Sequence, residues 1–369
     1  MKVFFCLDAL INAGSEKSTL DLISKFSDKT KVYVVYFYPM HDLKDAYLEA
    51  GITLHFLNLK GTYSFAKGTW RLVKLIKQEK PDVVVSSILR ANLMSRMACL
   101  LTGTKLVGTF VSDSYSKERT STFTLSRKIG FTFFKWLDKL TARVPVQWIS
   151  NSNAIAMSNA MELGVPMSKI KVIYRGRDAR MMKQWELPDS KQPFIFLSVG
   201  RLIETKGFQN IIMALYQIIP EHPYVQLHIY GEGNYRKNIE ELIKQLDLTA
   251  NVILHGNVPQ VSQYFSKAHC FVFSSWYEGF SGALVEGMMS GMPIIASDIS
   301  MNLEAVIHTQ TALVHKVKDV NDLSLKMKEM IKHYPAMIQM GEKARETALI
   351  RFNSEQIAYS YESFLLSLN

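Results

Sequence analysis

Cysteine is scarce and scattered: Cys6, Cys99 and Cys270 stand far apart, with no CxxC spacing. An odd number of isolated thiols argues against a disulfide framework and for buried free cysteines in a reducing cytosol. No apolar run reaches the roughly 18–20 residues of a membrane-spanning helix, which excludes an integral membrane protein of that kind. Low-complexity tracts, collagen-type glycine spacing and solenoid periods are missing too, removing disordered, fibrous and repeat architectures. The opening Met1-Lys2-Val3-Phe4-Phe5-Cys6-Leu7-Asp8 has no small-residue cleavage site before Asp8 and Asn12 interrupt it, so it reads as a strand rather than an export signal. Nothing matches GxxxxGK(S/T), HExxH or GxSxG, and the nine His residues show no metal-ligand spacing. P-loop, zincin and serine-hydrolase mechanisms therefore lack support, and the histidines read as surface or satisfied core residues.

What is present is an ordinary globular composition: 369 residues, 48% hydrophobic and 21% charged, a length for two domains. Acidic residues are short in one half only. Residues 1–180 hold 27 Lys and Arg against 14 Asp and Glu, while residues 181–369 hold 16 against 19. The excess is concentrated from Lys60 to Arg143, with 16 basic and 5 acidic residues. Such asymmetry suits an anionic partner for the first half: nucleic acid, phospholipid head groups or a phosphorylated substrate. A solvated basic face is the plainer alternative.

Short β-branched and aromatic runs alternate with longer amphipathic stretches. The strand candidates are Val3–Leu7, Lys31–Tyr38, Ile52–Phe56, Asp82–Ser86, Leu106–Phe110 and Gln147–Ser150, then Phe194–Val199, Val225–Tyr230, Val252–His255, Cys270–Ser274, Pro293–Ser297 and Ala312–Val314. Helical lengths between most of them predict βαβ crossovers and parallel sheets. Two sets of six strands imply an α/β protein of two doubly wound, Rossmann-like domains. The join is expected within Arg180–Gln192, giving domains 1–185 and 186–352. A terminal helix is expected over 353–369, with Asn353 as N-cap, Gln356 three residues on, and Ile357, Tyr361, Phe364, Leu365 and Leu368 on one stripe.

Ligands of open α/β sheets sit at the carboxyl ends of strands, so the loops there carry the interest. After Phe194–Val199 comes Gly200-Arg201-Leu-Ile-Glu-Thr-Lys206-Gly207, where two cations could clamp a diphosphate. Ordinary surface cations are the alternative. After Cys270–Ser274, Glu278-Gly279-Phe280-Ser281-Gly282 leads into a helix containing Ala283, Leu284 and Glu286. Its first N–H groups could receive phosphate, and Glu286 could accept hydrogen bonds from a vicinal diol. Both acids could instead merely favour a helix N-terminus, a reading that suits Glu278 better than Glu286. Gly231-Glu-Gly233 lacks the third glycine of a dinucleotide fingerprint and reads as a tight turn. Gly14-Ser15-Glu16 presents backbone N–H groups or simply starts a helix.

Taken in order, Gly200-Arg201…Lys206-Gly207, Gly231-Glu-Gly233, Glu278-Gly279-Phe280…Glu286 and Gly291-Met-Pro293 resemble the retaining GT-B glycosyltransferases of family 4. The resemblance is strongest over residues 195–305. In the first half it rests on the strand–helix pattern, the Gly14 loop, Ser150-Asn-Ser152 and Gly164-Val-Pro166…Lys171-Val-Ile173. It implies two domains facing a cleft, with the terminal helix crossing back to the first. By the same resemblance Arg201 and Lys206 bind the donor diphosphate, Glu286 the nucleotide ribose and Glu278 the donor sugar. Gly200, Ser281, Gly282, Ala283 and Leu284 complete the donor site, backbone around Val258 meets the base, and Gly14 closes over the phosphates. No DxD-type pair stands out, so no metal and no further cofactor is expected.

Two departures accompany the match. Where many members carry a His, this chain reads Val107-Gly-Thr-Phe-Val-Ser-Asp113-Ser114, leaving Asp113 as the acceptor-side candidate. After Asp298 it has Ile299-Ser-Met-Asn302 in place of a Gly pair, although Glu304 follows.

The sequence therefore implies a cytoplasmic transferase moving sugar from a nucleotide donor to a saccharide or a lipid-pyrophosphate-linked acceptor. A same-fold epimerase or phosphorylase and a non-catalytic nucleotide-sugar-binding subunit are the alternatives; nucleic-acid binding has no recognised module behind it. Within Arg127–Leu140, helical spacing places Ile129, Phe133, Trp136, Leu137 and Leu140 on one face among cations. That stripe either packs on the first domain's sheet or lies on an anionic membrane at the inner face of the cell membrane.

Overall fold

The computed structural model describes residues 1–61, 64–116, 120, 123–188, 193–259 and 261–368. The chain divides into two compact units, Met1–Gly176 with Ser354–Asn369, and Arg177–Asn353.

In the first unit, β1 (Lys2–Leu7), β2 (Lys31–Tyr36), β3 (Thr53–Phe56), β4 (Val83–Ser86), β5 (Lys105–Phe110), β6 (Gln147–Ser150) and β7 (Ile170–Val172) form a parallel sheet of order β3-β2-β1-β4-β5-β6-β7. β1 sits at the switch point, with Phe4 beside Tyr33 of β2 and beside Val84 of β4. Side chains alternate across the sheet, so both faces must be covered. Phe4 and Cys6 join Val35, Leu72, Ile76 and Met94 on one face. Val3, Phe5 and Leu7 join Ile149, Tyr361 and Leu365 on the other. Tyr361 and Leu365 come from the terminal helix Ser354–Leu366, whose apolar stripe buries against Phe5, ring centroids 6.2 Å apart.

β7 is an addition to the expected strands. Three residues long, at the sheet edge and following the 3-10 turn Met167–Lys169, it is too short to show a period of two. The division between units also falls earlier than the expected 185/186. Trp185 is buried within the second unit, where its indole N–H donates to the Ala268 carbonyl (2.8 Å) and its backbone N–H to that of Ser290 (2.8 Å). The segment before it therefore belongs to the second unit; of the expected join, residues 189–192 lie outside the described residues.

The second unit repeats the plan with β8 (Ile195–Val199), β9 (Gln226–Tyr230), β10 (Val252–Gly256), β11 (Cys270–Phe273), β12 (Ile294–Ser297) and β13 (Leu313–His315), all parallel in the order β10-β9-β8-β11-β12-β13. Its core joins Phe196, Ile211, Leu227 and Val272 with Met327 and Met330 of helix Val320–Lys332. All three cysteines are buried free thiols, and desolvation pushes the Cys6 thiol up to about 12. His269 is a satisfied core residue: its Nδ1 accepts the Ile195 N–H at 3.1 Å, and burial lowers its pKa to about 4.

The helix Leu125–Thr141 resolves the fate of the apolar stripe. Ile129, Phe133, Trp136 and Leu140 are all exposed, Trp136 at 58%, so they do not pack on the sheet, whereas Leu137, the fifth residue of the expected stripe, is half-buried. The opposite side of the helix makes the internal contacts. Phe134 meets Phe65 at 5.6 Å, and buried Asp138 pairs with Arg96 of helix Leu89–Thr102.

Candidate active site

In a parallel sheet the carboxyl ends of all strands share one edge. In the second unit that edge gathers Gly200 and Arg201 after β8, Gly231 after β9, Val258 beyond β10, and the segment 274–281 after β11. β8 and β11 are direct neighbours, with Phe196 beside Cys270, so the two loops singled out from sequence emerge side by side. This is the switch point of the second sheet.

The loops are stitched together by backbone. Trp276 N–H donates to the Thr205 carbonyl at 2.8 Å, while Gly200 N–H donates to Tyr230 O at 3.0 Å and Leu202 N–H to Glu232 O at 2.9 Å. These bonds explain Gly231-Glu-Gly233: a Cβ on Gly231 would stand 1.9 Å from Gly200 O, and one on Gly233 would stand 2.2 Å from Leu202 O. The pair permits close approach of two loops, and Arg236, which follows, pairs with Glu232 and Glu240.

Glu204–Lys206 form a 3-10 turn that sets Lys206 beside the second loop, where its ammonium pairs with Glu278 Oε1. Both side chains are mostly shielded, so each depends on the other for charge compensation. Arg201 is exposed and, among the described residues, has no ion-pair partner.

The helix Gly282–Ser290 starts at this edge. Ser281 caps it, its Oγ accepting the Leu284 N–H at 3.3 Å. The N–H groups of Gly282 and Ala283 precede the first intrahelical bond, which runs from Val285 N–H to Ser281 O, and they are available to an anion. Glu286 lies one turn in, and its Oε1 accepts from Arg177 Nε at 2.6 Å. Arg177 carried no signal in the sequence: it stands 109 residues from Glu286, and only the fold brings them together.

Arg201, Lys206, Glu278, Glu286, Gly200, Val258 and Ser281–Leu284 are thus all in the second unit. Gly14 and Asp113 belong to the first. Gly14 opens helix Gly14–Ile23, with Arg175 Nη1 the nearest atom to a Cβ placed on it, 3.9 Å away. Asp113 follows β5, and its Oδ1 accepts from Ser158 Oγ at 2.6 Å.

The fold is a pair of parallel, doubly wound α/β units, and comparison with known proteins gives the class. Residues 180–347 match the family Glycosyl transferases group 1, and residues 13–180 match Glycosyltransferase Family 4. The chain belongs to the GT-B group 1 glycosyltransferases. It is 26% identical over 311 residues to the capsular polysaccharide biosynthesis glycosyltransferase CapH of Staphylococcus aureus, covering 82% of this chain and 83% of CapH. It is 23% identical to an uncharacterized glycosyltransferase, MJ1059, of Methanocaldococcus jannaschii, over 69% of this chain and 65% of that protein. The chain spans less than two thirds of the length of that relative and of several other curated ones. Among solved structures, Anabaena HepE in complex with UDP and glucose superposes over 100% of both chains, with a TM-score of 0.84 at 20% identity.

Proposed function

We propose that the protein transfers a sugar from a nucleoside-diphosphate sugar to a saccharide or lipid-pyrophosphate-linked acceptor, with retention of configuration and without a bound metal. The observation that carries this reading is the convergence of Arg201, Lys206 and the uncapped N–H groups of Gly282 and Ala283 at one sheet edge, with Glu278 and Glu286 among them. As the glycosidic bond breaks, the nucleoside diphosphate gains negative charge. Cations and oriented N–H groups already in place stabilise that charge without reorganising. Glu286 receives the ribose diol, Glu278 the donor sugar, and backbone near Val258 the base. Asp113 and the Gly14 loop are proposed for the acceptor side and the phosphates. UDP and glucose in the HepE complex, and the capsular role in CapH's name, agree with this reading.

A panel of nucleotide sugars in thermal melts, followed by turnover of the best binder, tests it. A ligand at a hundred times its Kd adds about 2.7 kcal/mol of stability. One member should stabilise the protein and be consumed with release of nucleoside diphosphate, in EDTA as in buffer. Consumption only with added phosphate would instead support a phosphorylase, and binding without consumption a regulatory subunit. Glu286→Gln should weaken nucleotide affinity, whereas Glu278→Gln should depress turnover more than affinity. If Glu286→Gln binds free nucleoside diphosphate as tightly as wild type, Glu286 is structural.

The exposed stripe Ile129, Phe133, Trp136 and Leu140 supports a second element, an anionic membrane as docking surface. Exposed Arg127, Lys128 and Lys139 share its helix, and exposed Leu100 and Leu101 lie on the helix packed beside it. Apolar and aromatic residues flanked by cations match the interface of anionic lipid, where each cation contributes about 1 kcal/mol. Among the described residues no helix is long and apolar enough to cross a membrane, so contact would be peripheral. The protein should sediment with anionic vesicles at low salt, much less at high salt, and little with neutral ones. Phe133→Ser with Trp136→Ser should weaken this binding, and absence of sedimentation with anionic vesicles at low salt refutes it.

A further inference from the structure

The first unit holds a half-open cavity of about 100 Å³ at the carboxyl edge of its sheet, lined by neither Gly14 nor Asp113. Residues of helix Gly14–Ile23, of the terminal helix and of the chain leaving β4, β5, β6 and β7 enclose it. Its floor is apolar, with Phe5, Ile149 and Tyr361 lining it and the Phe5 and Tyr361 rings 6.2 Å apart. The charged side chains along it are Asp21, whose carboxylate pairs with Lys25, and Arg175. One is of each sign, so the lining carries no net charge.

Part of its polar wall has no hydrogen left to donate. Thr109 Oγ1 lies 3.0 Å from the Ser86 carbonyl, which can only accept, so Thr109 donates there. Ser87 Oγ, 2.7 Å from Thr109 Oγ1, is then the donor of that contact and keeps only lone pairs. Asn151 is fixed in a similar way: its Nδ2 donates to the Val111 carbonyl at 2.9 Å, which sets the amide against a flip. Asn151 is 8% exposed, and its Oδ1 has no hydrogen-bond partner among the described residues. Both remaining groups are therefore acceptors, and an acceptor left unpaired in so shielded a place is unfavourable until a donor meets it. Beside Ser87, Ile88 has φ 72, which a β-branched residue adopts only where its surroundings force it.

We infer that this cavity binds the hydroxyl-bearing edge of a neutral sugar, with Ser87 Oγ and Asn151 Oδ1 accepting from two of its hydroxyls. A sugar has both faces that the lining asks for, C–H groups for the apolar floor and O–H donors for the wall. Ionised phosphate oxygens have no hydrogen to give and leave these two acceptors unpaired. The room suits one edge of a ring rather than a whole oligosaccharide. On the transferase reading above, on which this consequence rests, the acceptor already ends in a neutral sugar. An earlier sugar transfer must then supply it, and a bare lipid pyrophosphate is not the group recognised in the first unit.

Saturation-transfer NMR on the full chain tests this, with glucose, galactose and N-acetylglucosamine as probes and inorganic pyrophosphate as competitor. At least one sugar should bind, and pyrophosphate should not displace it. Ser87→Ala and Asn151→Ala should each weaken that binding about fivefold, the loss of one hydrogen bond, while both bind nucleoside diphosphate as wild type does. Ser87 is half-buried, so Ser87→Ala keeps the test open should Asn151→Ala melt early. Binding of none of the three sugars, as when ordered water alone fills the cavity, overturns the inference. Sugar binding that neither variant weakens, or that pyrophosphate displaces, overturns it too. Sugar binding weakened by both variants, with no sugar transferred to the bound one from any nucleotide sugar, leaves the cavity its ligand and counts against the transferase reading instead.

Discussion

Lys206→Ala should lower sugar transfer at least about tenfold, a loss of about 1.4 kcal/mol or more of transition-state stabilisation, and Arg201→Ala should do the same. Lys206 is aimed by the Glu204–Lys206 turn, which the Trp276–Thr205 backbone bond holds against the second loop. Its ion-pair partner is Glu278. Removing the ammonium has two consequences. The leaving diphosphate loses a counter-charge, and a mostly shielded carboxylate is left uncompensated beside it, repelling the same phosphates. Lys206→Ala with Glu278→Gln should therefore regain nucleoside diphosphate affinity relative to Lys206→Ala, while turnover stays low because Glu278 is also lost. Arg201 is exposed, so its truncation leaves no buried charge and reads the phosphate contact more directly. Steady-state kinetics and titration with nucleoside diphosphate check each variant. Wild-type turnover in both single variants would remove the diphosphate clamp from the second unit.

A larger loss, in stability rather than activity, is expected from Arg96→Ala. Arg96 is 1% exposed, and its Nη1 donates to Asp138 Oδ1 (2.5 Å), to the Asp138 carbonyl (3.0 Å) and to Thr141 Oγ1 (2.8 Å). Tyr115 adds its hydroxyl to the same carboxylate, and the guanidinium lies 4.9 Å over the Trp148 ring. Among the described residues Nε and Nη2 have no hydrogen-bond partner, so the charge is compensated almost wholly through Nη1 and the ring. Truncating one member of a buried pair leaves the other charged in a dry site, at a cost of about 3–5 kcal/mol. For a unit of this size that corresponds to a fall in Tm of roughly 10 °C. Arg96→Met with Asp138→Leu, which removes both charges and keeps volume, should lie much closer to wild type than Arg96→Ala. Melts of the full chain would show it, and an unshifted Arg96→Ala transition would mean that water reaches Asp138.

Legibility differed by kind of feature. Near-continuous apolar runs such as Val3–Leu7 and Phe194–Val199 gave strands within a residue or two of those observed, since both faces of a parallel sheet demand apolar side chains. Ile170–Val172 escaped because three edge residues hold no readable period. The unit boundary was placed late because Trp185-Glu-Leu-Pro has linker composition, yet its indole is anchored at Ala268. At the site, Arg201, Lys206, Glu278 and Glu286 were legible because each lies within a few residues of a strand end or helix start. Arg177 was not, having no local pattern.

By itself, then, the sequence determined the parallel α/β plan in both halves and the order of the donor-side loops, since period and strand-to-helix punctuation are local properties written in consecutive residues. Only the tertiary structure decided which side of helix Leu125–Thr141 faces water, that Arg177 sits on Glu286, and that Arg96 and Asp138 share a buried site. A stripe of apolar residues is the same string whether it is buried or bare. An ion pair between residues far apart in the chain exists only once sheet order has made their elements neighbours, and that order comes from burying both faces of each sheet rather than from any residue's nearest neighbours in sequence.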